Sequence, residues 1–325
     1  MKNKILVTGG AGYIGSHTVR YLCDKGYDVI VVDNLIYGHK EAVDARALFI
    51  QADLADKRAL DQIFDTYDID AVVHFAAFAY VGESVVEPEK YYFNNVVGTL
   101  HLLKSMKEHH VNKIVFSSTC ATYGKPQYLP IDEKHPQNPI NPYGQTKLII
   151  EKIFESYHQA YGLKYIALRY FNAAGAQSDM SLGESHHPET HLIPLVLKTI
   201  RAEHPVLKVF GTDYDTPDGT CIRDYIHVED LASAHYLALT KFDEYVGCIN
   251  LGTGKGCSIK EIINAAEEIS AQKCKVEYVD KRPGDPSILI ADNKKAQHIL
   301  GWTPQYKNIK DIIRTAWDWE CHKKY

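Results

Sequence analysis

Residues 4–15 read Lys4-Ile5-Leu6-Val7-Thr8-Gly9-Gly10-Ala11-Gly12-Tyr13-Ile14-Gly15. A short β-branched run leads straight into glycines spaced GxxGxxG at Gly9, Gly12 and Gly15, and an amphipathic stretch follows from Ile14 to Lys25. Glycines permit a tight turn and let backbone amides approach a pyrophosphate, and the N-terminus of the following helix adds partial positive charge. A plain strand-to-helix turn would tolerate glycine as well. The context favours the nucleotide reading, because the second apolar run, Val29 to Val32, ends at an acid, Asp33. A carboxylate there accepts from the adenosine ribose hydroxyls and repels a 2′-phosphate, so NAD is favoured over NADP. Asp53, after the third apolar run, stands where it would touch the adenine amino group; a solvated strand-end acid is the plainer alternative.

Beyond this turn, the first 170 or so residues alternate short apolar runs with helix-length segments. The runs are Ile5–Val7, Val29–Val32, Leu48–Ile50, Ala71–Phe75, Lys113–Phe116 and Tyr165–Leu168, and the segments between them include Lys57 to Tyr67 and Tyr143 to Tyr161. Nearly continuous apolar runs are what strands buried on both faces require. The alternation predicts an α/β, Rossmann-type, doubly wound parallel sheet. The rhythm breaks after Phe171. Residues 173–190 read as a long loop, and 211–219 as a polar turn. Helices are expected at Ile193–Ala202, Val228–Thr240, Ile259–Ile269 and Ile309–Cys321, with strands at Cys248–Leu251 and Val276–Val279. The organisation read from this is an NAD-binding sheet domain over 1–171 plus about 223–253. A smaller, interleaved α/β substrate domain takes 172–222 and 254–325.

Composition narrows the classes. The chain has 325 residues, 45% hydrophobic and 24% charged, which is ordinary for a globular fold and long enough to need no staples. A net charge of −5 gives no basic footprint for nucleic acid or a membrane surface. Seven cysteines in no paired spacing read as reduced thiols, and the 16 histidines show no metal-ligand spacing, with His186-His187 read as loop residues. The opening stretch has no signal-peptide apolar region, and no apolar run approaches the roughly 18 residues of a membrane span. The expectation is therefore a cytoplasmic protein with neither metal, nucleic acid nor membrane as partner.

Tyr143-Gly-Gln-Thr-Lys147 places a phenol and an ammonium one helical turn apart on one face. A phenol titrating near 10 is a poor base at neutral pH. A neighbouring Lys⁺, helped by a positively charged nicotinamide ring, is expected to lower it. Lys147 would also hold the nicotinamide ribose. The strand ending at Phe116 runs into Ser117-Ser118-Thr119, so hydroxyls stand at the carboxyl end of a parallel strand, where such folds bind ligands. Ser117 is assigned to the cofactor side, and Thr119 would hydrogen-bond the oxygen that Tyr143 deprotonates. Taken singly, these are a surface pair and a strand-end cap; together with the glycine turn and Asp33 they read as a catalytic triad of Tyr143, Lys147 and Thr119.

With GGAGYIG, Asp33-Asn34-Leu35, SSTCATYG and the Tyr143/Lys147 pair assembled, the chain resembles the extended short-chain dehydrogenase/reductase family. Within it, the match is to the NAD-dependent branch that epimerises nucleotide sugars. Further matches are His74–Ala77, Val81–Ser84, Asn94–Thr99, Arg169–Asn172, Gly219–Val228 and Arg282–Asp285. The resemblance implies that Tyr13, Ile14, Asp33, Asn34, Asp53, Leu54, Phe75, Ala76, Ala77, Asn94, Lys147 and Phe171 line an NAD site. It implies that Asn172, Arg223 and Arg282 hold the diphosphate of a UDP-sugar, that Phe210 lies by the uracil, and that Asp285 accepts from the uridine ribose. Arg223-Asp224 as an ion pair and Phe210 as a core aromatic are the plainer readings. His191 and Leu192 fall near the expected sugar position. Leu289 stands where some members carry a bulky tyrosine, which would leave room for a 2-acetamido group. Ala79 replaces a lysine of some members, so that ammonium contact is lost.

The implied activity is C4 epimerisation of a UDP-hexose. A 4,6-dehydratase or decarboxylase on this fold would need carboxylates beside Thr119, where Cys120 and Ala121 stand instead. A non-catalytic NAD-binding regulator would be expected to lose Tyr143, Lys147 or Thr119. The family usually pairs through two helices, which implies a homodimer through Asn94–Lys107 and Pro142–Tyr161.

Overall fold

The computed structural model describes residues 3–325 apart from Pro283, so that proline of the Arg282–Asp285 motif lies outside the described residues. In chain order the first strands and helices are β1 (Lys4–Thr8), α1 (Tyr13–Asp24), β2 (Asp28–Asp33), β3 (Leu48–Gln51), α2 (Lys57–Thr66), β4 (Ala71–His74), α3 (Val81–Val86), α4 (Pro88–Tyr91), α5 (Gly98–Glu108), β5 (Lys113–Thr119), α6 (Pro142–Tyr161) and β6 (Lys164–Tyr170). There follow β7 (Asn172–Ala174), α7 (Leu192–Ile200), β8 (Leu207–Phe210), β9 (Ile222–His227), α8 (Val228–Leu239), β10 (Gly247–Leu251), β11 (Gly256–Ser258), α9 (Ile259–Ser270), β12 (Val276–Val279), β13 (Ile288–Leu289), α10 (Lys294–Leu300) and α11 (Ile309–Cys321).

The large sheet has seven parallel strands in the order β10-β6-β5-β4-β1-β2-β3. Alternation along each strand feeds two cores. Ile5, Val7, Val29, Val31 and Val73 face one side, against Val19 and Leu22 of α1 and Leu231 and Ala234 of α8. Leu6, Ile30, Val32, Val72 and Ile114 face the other, against Leu60 and Ile63 of α2, Leu102 of α5 and Phe154 of α6. Each such side chain contributes roughly 1.5–3 kcal/mol on burial, which fixes the register that places all the strand ends together. The chain order reverses between β1 and β4, so a crevice opens there at the carboxyl ends of the strands.

The second lobe is built on β9, which pairs with β7, β11 and β13. A separate two-stranded ribbon joins β8 and β12, and α7, α9 and α11 pack around them on a third core that includes Val196, Ile262 and Ile313. The stretch about 223–253, expected with the sheet domain, divides. Its first residues, in β9, lie in the small sheet, while α8 and β10 return to the large one. The expected helix from Asn94 to Lys107 also divides: Tyr92–Val97 is a π turn, and α5 begins only at Gly98. No helix among the described residues is long and apolar enough to cross a membrane.

Candidate active site

The glycine turn after β1 is the first wall of the crevice. Gly9 takes φ +72°, and a Cβ on it would lie 2.5 Å from the Ala76 nitrogen. A Cβ on Gly15 would lie 2.1 Å from the Gly9 carbonyl oxygen. Both glycines are thus demanded by the chain's own packing. Gly12 differs, since its Cβ would meet only Gly9 O, at 3.4 Å. Gly12 is also the N-cap of α1, with no side-chain cap and no acid in the first turn. The first-turn amides are therefore free for an anion. Asp33 ends β2 and is buried; its Oδ2 accepts from the Ala11 amide at 3.0 Å and its Oδ1 from the Leu35 amide at 2.8 Å. Burial raises its pKa, and those two amides pull it back. Asn34 donates to Asp53 Oδ2 at 2.7 Å, so two of the residues assigned to the NAD site are joined. This set fits a dinucleotide: open amides for the pyrophosphate, and a carboxylate with unused lone pairs at the ribose position.

Leu54, Phe75, Ala76 and Ala77 follow the ends of β3 and β4, and Phe75 packs on His235 with ring centroids 4.6 Å apart. His74 itself is a core histidine. It lies between Thr8 Oγ1 at 2.6 Å and Thr99 Oγ1 at 2.9 Å, and burial lowers its pKa to about 3. The π turn carries Asn94 and buries Asn95, which bonds both the N–H and C=O of Phe78. Tyr13 donates to the Gly175 carbonyl at 2.5 Å, tying the cradle to the segment after β7.

The reacting groups come from β5 and α6. Asn141 caps α6 by accepting from the Gly144 amide at 2.8 Å, and Pro142 occupies the first turn. A Cβ on Gly144 would lie 2.6 Å from the Ala121 carbonyl oxygen, so α6 starts hard against the turn that follows Thr119. That contact brings Tyr143 to Thr119. Burial around the phenol pushes the Tyr143 pKa up to about 12, and the neighbouring Thr119 hydroxyl opposes it. Lys147 is buried and donates to the Ser117 carbonyl at 2.7 Å, with Nζ 4.7 Å from the Phe116 ring centroid and 6.0 Å from that of Tyr143. Burial lowers its pKa to about 7, against a raising pull from Glu151. The expected activation of Tyr143 draws on the nicotinamide ring as well as on Lys147, and these are the states of Tyr143 and Lys147 in the chain without cofactor. The ammonium is occupied by a carbonyl, and the phenol is held neutral. The Ser117 hydroxyl pairs with Tyr170 Oη. Cys120, beside Thr119, has its thiol pushed up to about 12 by burial and is no nucleophile.

Under this face lies a buried ion pair that sequence reading left out. Arg169 grips Glu151 through Nε at 2.9 Å and through a terminal nitrogen at 2.7 Å, while Ser118 and Gln137 donate to the same carboxylate. It locks β5, β6 and α6 together. The available signal was an acid on the inner face of α6, one turn beyond Lys147.

The second lobe supplies the opposite wall. Arg223 in β9 donates to Asp285 Oδ1 at 2.6 Å and to its neighbouring Ile222 carbonyl at 2.9 Å, so the two residues assigned to diphosphate and ribose face each other. Asp224, in contrast, is buried and accepts from Thr253, Gly254 and Ala291, so Arg223-Asp224 is no ion pair. Arg282 lies over the Phe210 ring at 3.8 Å. Asn172 opens β7, and Leu289 in β13 stands opposite Arg223. Leu289 packs with Phe171, Ala291 and Cys120, which joins the lobe to the Thr119 turn. Leu192 begins α7 and packs into the small-lobe core. His191, expected beside the sugar, engages Glu184 and Glu189. Glu184, His186, Glu189 and His191 form one cluster, which the histidine spacing did not disclose.

The fold and this crevice define a dinucleotide-dependent enzyme. Residues 5–252 match the model of the NAD dependent epimerase/dehydratase family, and the chain belongs to that family. It is 53% identical to a UDP-glucose 4-epimerase of Halalkalibacterium halodurans, over 99% of this chain and 96% of that protein. Among solved structures it is similar to the Brucella ovis UDP-glucose 4-epimerase in complex with NAD (TM-score 0.95, 50% identity, 97% of this chain and 98% of that one). A Bifidobacterium longum UDP-glucose 4-epimerase in complex with NAD+ and UDP matches with a TM-score of 0.94 and 40% identity, over 99% of each chain.

Proposed function

We propose that this chain is an NAD-dependent isomerase that inverts C4 of a UDP-hexose, interconverting UDP-glucose and UDP-galactose. The observation that carries this reading is the meeting of Tyr143, Thr119 and Lys147 at the strand ends between an open pyrophosphate cradle and a pair of arginines. Bound NAD supplies the acceptor that takes the C4 hydride and returns it to the opposite face. The chain's own part is proton handling and anchoring. Tyr143 takes the proton of the sugar 4-hydroxyl and later gives it back, with Thr119 holding the same oxygen. Its pKa of about 12 in the chain alone means the cofactor's positive ring must complete its activation. Lys147, near 7, is a donor on the Ser117 side, suited to the nicotinamide ribose. Asn172, Arg223 and Arg282 hold the diphosphate, Asp285 the ribose and Phe210 the base, through charge-assisted bonds and stacking. Anchoring at UDP leaves the sugar free to present either face to Tyr143.

A dehydratase is disfavoured by the surroundings of Thr119. The neighbouring thiol is held protonated by burial, and the Asp224 carboxylate already accepts from the Thr253, Gly254 and Ala291 amides. The small lobe, 172–227 and 254–325 with β9 in its sheet, is read as the nucleotide-sugar domain. Leu289 leaves an aliphatic wall beside the sugar, so UDP-N-acetylgalactosamine should also turn over; strict rejection of it would refute that extension. A homodimer is supported by exposed Val85, Val86, Tyr92 and Phe93, which cluster on α3 and the π turn beside α6. All seven cysteines are free, which supports a reducing, cytoplasmic setting. Purified protein given UDP-galactose without added NAD should form UDP-glucose and release NAD(H) on denaturation. Tyr143→Phe should keep the nucleotide and lose turnover by about 10²–10⁴-fold. A fully active variant would remove Tyr143 from the reaction.

A further inference from the structure

The segment between β7 and α7 places four potential metal ligands in eight residues. Glu184, His186, Glu189 and His191 each offer one donor atom, and these atoms lie within 4.8 Å of one another. Both imidazoles turn the same nitrogen inward. His186 Nδ1 is 3.1 Å from Glu184 Oε1 and 3.7 Å from Glu189 Oε2. His191 Nδ1 is 2.7 Å from Glu184 Oε1 and 3.1 Å from Glu189 Oε1. Four ligands at bond lengths of about 2.0–2.1 Å around a tetrahedral ion stand about 3.3 Å apart, and the 2.7, 3.1 and 3.7 Å separations among Glu184 Oε1, the two Nδ1 atoms and Glu189 Oε2 bracket that edge.

Burial sharpens the point. The Glu184 and Glu189 side chains are only 7% and 5% exposed. Glu189 Oε2 is buried with no hydrogen-bond partner, an expensive state for a carboxylate oxygen unless a cation meets it. The surrounding contacts hold the donors in place. Trp319 donates its indole N–H to the Glu184 carbonyl at 2.9 Å, and His39 Nε2 lies 3.0 Å from the Ser185 carbonyl. The Thr190 and His191 amides both donate to Glu189 Oε1 at 2.8 Å.

We propose that Glu184, His186, Glu189 and His191 bind one divalent transition-metal ion of the zinc type in a closed structural site. Two carboxylates balance the ion's charge, and two neutral imidazoles complete the set. A mixed nitrogen–oxygen set of this kind suits zinc and its first-row neighbours and does not suit calcium or magnesium, which take oxygen alone. With all four positions filled by protein, the site has no place for substrate, so its role is to hold the segment. The segment lies against the cradle, because the His186 ring is 6.3 Å from the ring of Tyr13 and 6.1 Å from that of Tyr80. The competing arrangement is a metal-free ion-pair knot with both imidazoles protonated.

The test uses the full chain, free of any affinity tag, grown with zinc and then desalted. Elemental analysis should find one zinc per chain. Treatment with a strong chelator should remove it and lower the melting temperature, and zinc should restore it. Cobalt(II) put in place of zinc should give the intense visible absorption of a four-coordinate site, without the sulfur charge-transfer band that a thiolate site would add. A folded His186→Gln or Glu189→Gln variant should lose the stoichiometric ion and the cobalt band. Three results would each overturn the proposal: wild-type protein that stays metal-free in added zinc, a melting temperature that ignores both chelator and zinc, or a folded variant that still holds the ion. If neither variant folds, the cobalt spectrum of the wild type decides alone. All of these readouts are independent of epimerase turnover, so failure here leaves the catalytic reading standing.

Discussion

In the cradle between β1 and α1 the donors stand open, whereas in the small lobe the charged groups are closed on one another. No side chain caps the first turn of α1, and a Cβ on Gly12 would find almost nothing of the chain in its way. Across the crevice, Arg223 is already paired with Asp285, and Arg282 lies on Phe210. One wall is preorganised for a phosphate and changes little when it arrives. The other must exchange its partners, which costs binding energy and suits a ligand that enters and leaves with every turnover. The proposed function calls for such a division, with a retained cofactor on one wall and an exchangeable nucleotide sugar on the other.

The largest effect should come from breaking the preorganised wall. Gly15→Ala forces a Cβ to within 2.1 Å of the Gly9 carbonyl oxygen, so the turn must open; purified protein should carry almost no NAD(H) and melt lower. Gly12→Ala is the informative partner. Its Cβ has only a 3.4 Å neighbour, so melting of the nucleotide-free protein should match that of the parent while nucleotide retention falls. If both variants retain NAD(H) equally, the cradle does not hold the pyrophosphate.

The self-paired wall predicts an asymmetry. A charged hydrogen bond is worth about 1.5–3 kcal/mol, so Arg223→Gln should raise KM for the UDP-hexose by roughly ten- to a hundredfold with little change in kcat. Asp285→Asn also removes the contact to the ribose proposed for it, but it weakens the hold of Arg223's rival partner, and its KM should rise several-fold less. Steady-state kinetics on both variants decide this; equal effects would mean that Arg223 and Asp285 do not compete.

The same contrast explains what could be read from the chain alone. The cradle is local: twelve successive residues carry strand, turn and helix, and the Tyr143/Lys147 pair is set by one helical turn. Strong periodicity in β1 to β6 made the large sheet legible for the same reason. The strands of the small lobe are only two to six residues long, and its central strand β9, Ile222–His227, carries Arg223, Asp224 and His227 among its apolar residues. Its partners lie far off in the chain, as Arg223 and Asp285 do at 62 positions apart. No local pattern encodes such a pairing. The Glu184–His191 cluster was missed for a different reason. It is contiguous, but its convergence depends on an irregular loop with no period. The pKa of Tyr143 in the chain without cofactor was not legible either, because it is set by burial, which sequence does not measure.

The smallest expected effect tests that last point. Lys147 has its pKa lowered to about 7 by burial, whereas in the unfolded chain it titrates near 10.5. Below about pH 7 both states carry the charge, and the full cost of burying it weighs on the fold. Between about 7 and 10.5 the unfolded chain holds one proton more than the folded chain. Stability from this group therefore rises with pH across that window. Lys147→Met removes the term. The melting temperature of the nucleotide-free wild type, taken relative to that of the variant, should climb by on the order of a few degrees between pH 7 and pH 10. Parallel curves would show that the ammonium keeps its ordinary affinity for protons. Lys147 would then stand beside Tyr143 as a permanent charge, and the phenol would need less help from the cofactor than its buried position demands.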